Sequence, residues 1–150
     1  MRKVLVLLGS TSDEQMMAGC TEYLTRFGIP FTLTVSSAHR QPEETAALVK
    51  SAAGSGYGVI IAAAGMAAHL PGVAAAYTTL PVIGVPLEGS ALHGVDALYS
   101  IVQMPAGIPV ATVAIGGGKN AAVLAAEILA LNDDGLRQSL LAFRTNGAKF

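Results

Sequence analysis

The sequence predicts a doubly wound α/β fold in three layers: a five-stranded parallel sheet with helices on both faces. Three observations carry that expectation. Five short runs are apolar at nearly every position instead of alternating, which suits strands covered on both sides. Stretches with helical spacing lie between them. The resulting βαβαβαβαβ order gives each pair of strands a crossover long enough for parallel pairing.

Taken in order, KVLVLL (3–8) is the first strand and stops at Gly9. A helical stretch over 13–27 leads to FTLTVS (31–36), and another over 41–55 leads to YGVIIAAA (57–64). Residues 67–78 form a third helical stretch before LPVIGVP (80–86), and a weaker one near 94–103 precedes PVATVAI (109–115). Between these last two, IVQMPAGIPV (101–110), apolar with two prolines, reads as loop and strand entry. The segment NAAVLAAEILAL (120–131) is apolar nearly all round, so it is a buried helix, and in a chain this small the expected burial site is a subunit interface. DDGLRQSLLAFRTNGAKF adds one amphipathic helix. A flavodoxin-like strand order is the simplest that satisfies this pattern, with the C-terminal helices in oligomer contacts.

A chain of 150 residues favours one domain over residues 1–150. Charged residues make up 13%, half the usual share of about 25%, so other subunits are expected to cover part of the surface. With a net charge of −1 and no basic run interleaved with aromatics, neither nucleic acid nor anionic membrane is an expected partner. A small ligand is. Cys20 stands alone and cannot form an internal disulfide, no signal peptide precedes the first strand, and the apolar stretches are broken by glycines, prolines and polar residues. These features lead to the expectation of a soluble cytoplasmic protein.

Ligands of such sheets gather beyond the carboxyl ends of the strands, where this chain carries the polar loops GSTSDEQ (9–15), SSAHRQP (36–42) and AAAGMAAHLPG (62–72). In the first, Gly9 permits a tight turn, while Ser10, Ser12 and Asp13 offer hydroxyls and a carboxylate at a helix start, where free amides attract phosphate. Ser12 followed by Gln15 also fits a capping box, a role compatible with ligand binding. No lysine follows the glycine loop and no G-x-G-x-x-G is present, so ATP and NAD are disfavoured.

In the second loop, Arg40 has a planar fork suited to phosphate, and its charge at a helix N-terminus opposes the helix dipole unless an anion is present. The alternative is a surface arginine paired with Glu43 or Glu44. His39 is of the residue type that exchanges a proton near neutrality, although a histidine taken alone is more often simply hydrogen-bonded. The third loop places His69 among small residues that let backbone approach a ligand. As a lone residue it too reads first as structural.

The remaining polar features carry less. His39, His69 and His93 stand 30 and 24 residues apart without His-x-x-His spacing, a weak metal signal. His93, in a loop before Gly94, has no assigned role, and Cys20 reads as core. GGGKN (116–120) suits either an anion cradle or a tight βα turn.

Together these segments resemble the PurE family of purine biosynthesis over nearly the whole chain. GSTSD, SAHR, AAGMAAHLPG, PVIGVP, GVDALYSIVQMPAGIPVATVAIG and KNAAVLAAEIL stand in that family's order and at its spacings. The resemblance implies a flavodoxin-like sheet, a homo-octamer, no cofactor, no metal, and isomerisation of N5-carboxyaminoimidazole ribonucleotide to 4-carboxy-5-aminoimidazole ribonucleotide. It implies that Ser10 and Asp13, with Ser12 in the same loop, hold phosphate and ribose, that Arg40 binds the phosphate with Ser37 beside it, and that His39 moves the proton. His69, with Gly65, Ala68 and Leu70, is then implied to line the pocket for the base and the migrating carboxylate.

AAHLPG and SIVQMP look like the mutase branch of that family; the branch that carboxylates aminoimidazole ribonucleotide directly with carbon dioxide has a serine-containing loop at the third strand. Met66 departs from the mutase pattern, which commonly has glycine there. Two alternatives stand beside the mutase: the direct carboxylase, and a non-catalytic module that binds a phosphorylated nucleoside.

Overall fold

The computed structural model describes residues 1–150. Strands β1 (Lys3–Leu8), β2 (Phe31–Val35), β3 (Tyr57–Gly65), β4 (Val82–Leu87) and β5 (Ala111–Thr112) form one sheet in the order β2-β1-β3-β4-β5, with every pairing parallel. This is the expected flavodoxin-like order. Seven helices complete the fold: α1 (Asp13–Met16), α2 (Ala18–Arg26), α3 (Pro42–Ala52), α4 (Leu70–Tyr77), α5 (Val95–Val102), α6 (Gly118–Ala130) and α7 (Asp134–Thr145).

The continuous apolar character of the strands follows from two separate cores. Val4, Val6 and Leu8 of β1 point to one face, where they join α2, α6 and α7; Leu5 and Leu7 point to the other, among residues of α3, α4 and α5. Strand β3 divides in the same way, with Val59, Ile61 and Ala63 on the first face and Ile60, Ala62 and Ala64 on the second. Successive side chains alternate faces, so a strand buried on both must be apolar throughout. Helix α5 lies so close to β4 that a Cβ on Gly84 would overlap Ile101 and stand 2.9 Å from Val110 Cγ1.

Three expectations need correction. The helix expected over 13–27 breaks at Met17 (φ −98°, ψ 7°), whose side chain is fully buried and whose Sδ would lie 3.2 Å from a Cβ on Gly118. Anchoring that side chain against the start of α6 distorts one turn, next to a glycine that weakens the helix further. The fifth strand has two residues rather than seven, because only Ile83 and Gly84 of β4 find ladder partners in it before the chain turns through Gly116 and Gly117.

The third correction concerns α6. Its alanines 121, 122, 125 and 126 are fully buried within a single chain, against α2, α7 and the sheet, so the burial of this face does not require a subunit interface. Alanine lets neighbouring helices approach closely, and the C-terminal helix covers the face the sequence left open. Exposed apolar side chains lie on α5 at Val95, Tyr99 and Val102, which follow one another at helical spacing, with Leu92 exposed in the turn before the helix.

The register brings the carboxyl ends of the strands level. Leu8 pairs with Val35 on one side and Ala63 on the other, and Gly65 pairs with Leu87. The loops after β1, β2 and β3 therefore leave the sheet side by side.

Candidate active site

The first loop is fastened to the sheet by Gly9 N donating to Ala63 O at 3.1 Å. Asp13 is buried, and its Oδ2 accepts from Ser10 N at 3.0 Å. Burial raises its carboxyl above the ordinary aspartate range, against the smaller opposing effect of the Ser10 amide. The expected capping box is absent. Ser12 already has helical angles (φ −63°, ψ −19°), so its hydroxyl points away from the next amides and lies 3.1 Å from Ser10 Oγ. Both serine hydroxyls are exposed and free to take a further partner.

In the second loop, Arg40 N donates to Ser37 Oγ at 3.2 Å and Gln41 N to Ser37 O at 2.8 Å, a tight turn that leaves His39 and Arg40 exposed. The guanidinium of Arg40 forms no ion pair: Glu44 bonds Gln41 Nε2 at 2.6 Å, and Glu43 has no cationic partner. The alternative reading of Arg40 as a surface ion pair is not realised. A cation thus stands at the mouth of the loops without an anion.

The third loop turns by backbone conformation. Met66 takes φ +55°, the left-handed region costly for a residue with a Cβ. Ala68 N then donates to Met66 O at 2.9 Å and His69 N to Ala67 O at 2.8 Å. Ala68 and Leu70 bury their side chains in the core, so this segment offers the site mainly its backbone and the His69 ring.

The second and third loops meet at the two imidazoles. His39 Nε2 and His69 Nδ1 are 2.6 Å apart, with ring centroids at 4.8 Å and planes at 82°. A contact this short needs a proton on one nitrogen and a lone pair on the other. The pair can therefore take a proton at one end and release one at the other, beside a free guanidinium and loop hydroxyls suited to an anionic, hydroxylated ligand.

Other candidates fall away from this centre. The Cys20 thiol is pushed up to about 12 by burial and is inert at neutral pH. His93 Nδ1 lies 3.2 Å from Glu88 Oε1 in an exposed pair. The glycines of GGGKN make a turn: Gly116 takes φ +70°, and a Cβ on Gly117 would stand 2.7 Å from Ala114 O. At the same sheet end, an open cavity of about 650 Å³ is lined by Met16, Leu87, Glu88, Ser90 and Ile115, with the histidines outside its lining. The buried hydroxyls of Ser36 and Thr45 lie beneath the second loop and carry no signal in the sequence, where a threonine in a helix has no distinguishing mark.

Comparison with known proteins covers almost the whole chain. The family model described as AIR carboxylase matches residues 3–149. The N5-carboxyaminoimidazole ribonucleotide mutase of Haemophilus influenzae is 52% identical over 146 residues, which span 96% of this chain and 89% of that protein. The phosphoribosylaminoimidazole carboxylase of Schizosaccharomyces pombe is 50% identical over 141 residues, 94% of this chain but 26% of that longer protein. The crystal structure of Treponema denticola PurE aligns with a TM-score of 0.88 at 30% identity, covering 97% of this chain and 90% of that one.

Proposed function

The chain belongs to the AIR carboxylase family, and we propose that it isomerises N5-carboxyaminoimidazole ribonucleotide to 4-carboxy-5-aminoimidazole ribonucleotide in purine biosynthesis, with His39 as the group that moves the proton. One observation carries the assignment of roles: the contact of His39 Nε2 with His69 Nδ1 at 2.6 Å, next to an arginine with no anionic partner.

The reaction moves a carboxyl group from the exocyclic nitrogen to ring carbon 4. The nitrogen–carboxyl bond breaks to release carbon dioxide, carbon 4 attacks it, and the new carbon–carbon bond forms. Carbon 4 then loses its proton and the exocyclic nitrogen gains one, so the net transfer is a single proton from carbon to nitrogen. One histidine that takes the first and returns the second ends where it began. His39 has this role, and His69, on the other loop, lines the space for the base and the migrating carboxylate.

Binding falls to the loops around the pair. The Arg40 fork reads the phosphate, with the Ser37 hydroxyl beside it, while Ser10, Ser12 and Asp13 face phosphate and ribose. Gly65, Ala68 and Leu70 complete the floor through their backbone. Small residues there let a flat base approach closely and leave little space from which carbon dioxide can stray.

The proposal includes a homo-oligomer, an octamer by family resemblance, in the cytoplasm. The exposed row of Val95, Tyr99 and Val102 on α5, with Leu92 in the turn before it, supports association, since scattered surface apolar residues are ordinary but a row at helical spacing is not. No helix is long and apolar enough to cross a membrane. A monomer in sedimentation at micromolar protein would remove the oligomer from the proposal.

The deciding assay compares turnover of N5-carboxyaminoimidazole ribonucleotide with that of aminoimidazole ribonucleotide plus bicarbonate at matched concentration. Preference for the first is expected. Preference for the second makes the chain a direct carboxylase, and binding without turnover of either makes it a binding module.

A further inference from the structure

The loop that carries His39 and Arg40 is tied at both ends to one buried hydroxyl. Strand β2 ends at Val35 and α3 begins at Pro42, and the six residues between them run through Ser36 to Gln41. Ser36 keeps the loop's start on the sheet, its N–H donating to Leu8 O at 2.9 Å. Thr45, in the second turn of α3, is wholly buried, and Ser36 nearly so. Thr45 Oγ1 lies 2.6 Å from Ser36 Oγ, 2.8 Å from Gln41 O and 3.4 Å from Ser37 O.

A threonine hydroxyl has one proton to give. Spent on Gln41 O, the nearest carbonyl, it leaves the Thr45 oxygen to accept from Ser36. The result is a directed chain, Ser36 hydroxyl to Thr45 hydroxyl to Gln41 carbonyl, that joins the last residue of the sheet side to the last residue before the helix. The bond to Gln41 alone is ordinary, because helix threonines often bond the carbonyl four residues back. The bond to Ser36 is different: it spans the whole loop. Buried polar groups of this kind rarely go unpaired, so the chain cannot loosen without a cost.

We infer that Thr45 is a positioning residue for the isomerisation, clamping the Ser36–Gln41 loop so that His39 reaches His69 while Arg40 faces the phosphate. The inference rests on the roles proposed for His39 and Arg40. Because one loop carries both the proton carrier and the phosphate contact, loosening it lowers kcat and raises KM together. Simple loss of folded protein lowers apparent kcat and leaves KM alone.

The test compares Thr45→Val, which keeps the shape and removes the hydroxyl, with Thr45→Ser, which restores it. Thr45→Val is expected to lower kcat/KM about tenfold, shared between kcat and KM, since sub-ångström displacement of a catalytic group has effects of this order. Thr45→Ser is expected to recover kcat/KM to within about threefold of the parent. The histidine ring NMR signals should shift in the valine variant and return in the serine variant, a readout that does not depend on turnover. A valine variant with parental KM, kcat and ring signals overturns the inference, as does a serine variant as impaired as valine. Should Thr45→Val not fold, Ser36→Ala breaks the other bond of the chain and must raise KM while lowering kcat; unchanged kinetics there overturn the inference equally. Inactivity of the parent protein with both substrates overturns the proposed reaction instead, and the ring signals still decide whether the clamp holds.

Discussion

The first two loops at the carboxyl end of the sheet differ from the third in how they are held. Asp13, Ser36 and Thr45 are the buried polar or charged side chains of this chain, and all three support the loops after β1 and β2. The loop after β3 has no such support and turns instead through the left-handed backbone of Met66. One site is thus built by two methods. Buried hydrogen bonds fix the loops that carry the exposed serines, His39 and Arg40, whereas small residues and backbone strain fix the loop that carries His69.

The strongest challenge to this division is at the point where the two kinds of loop meet. His39→Asn is expected to lower turnover by roughly 10²–10⁴, with affinity for the ribonucleotide by calorimetry changed little, because loss of a general acid–base group affects the transition state more than the bound substrate. His69→Asn is expected to act in the same direction. If the rings work as one unit, the double variant is no worse than the poorer single variant. Fully multiplicative losses would mean that the loops act separately.

A smaller effect belongs to Arg40 alone. Arg40→Ala is expected to weaken substrate binding by about 1.5–3 kcal/mol, the usual worth of hydrogen bonds to a charged group. Raising the salt concentration should narrow the difference between variant and parent. An unchanged dissociation constant in a direct titration would take Arg40 out of the phosphate site and leave the second loop with the proton transfer only.

This division also accounts for what could be read in the sequence. Continuous apolar runs such as YGVIIAAA imply strands buried on both faces, so the sheet and its order were legible from pattern alone. Polar residues in SSAHRQP and GSTSD marked the first two loops, because the carboxyl ends of buried parallel strands are where such sheets receive their ligands. The left-handed turn at Met66 had no local sign; only the family pattern pointed there. The burial of α6 against α2 and α7 was illegible for a different reason: an apolar helix records that something covers it, but not what does. The Ser36–Thr45 bond joins residues nine apart through a loop whose path no periodicity describes.

On the polar side, Asp13 gives the contrast a pH dependence. Burial raises its carboxyl, so the folded chain holds that proton more tightly than the unfolded chain does. Stability contributed by the protonated form is present below the ordinary aspartate value and declines as pH rises toward the raised one. Above that window the ionised form is a constant cost, offset by its bond to Ser10 N and by the ribose contact proposed for it. Asp13→Asn is therefore expected to remove this decline and to melt no lower than the parent at neutral pH, while binding substrate several-fold to about tenfold more weakly. Parallel melting curves across the acid range for both proteins would show that Asp13 does not carry the linkage.

Met66 tests the strained side, with the smallest effect. A left-handed residue with a Cβ costs about 1–2 kcal/mol, while glycine gives back about 0.5–1 kcal/mol through its greater freedom in the unfolded chain. Met66→Gly is therefore expected to gain up to about 1 kcal/mol and to raise the melting temperature by about 2–4 °C. Met66→Ala keeps the Cβ and is expected to gain nothing, which separates relief of strain from loss of an exposed methionine. If the strain also orients His69, the glycine variant loses a few-fold in kcat as the loop gains freedom. A glycine variant neither more stable nor slower would show that the third loop is set by the burial of Ala68 and Leu70 on its far side, and not by the turn at Met66.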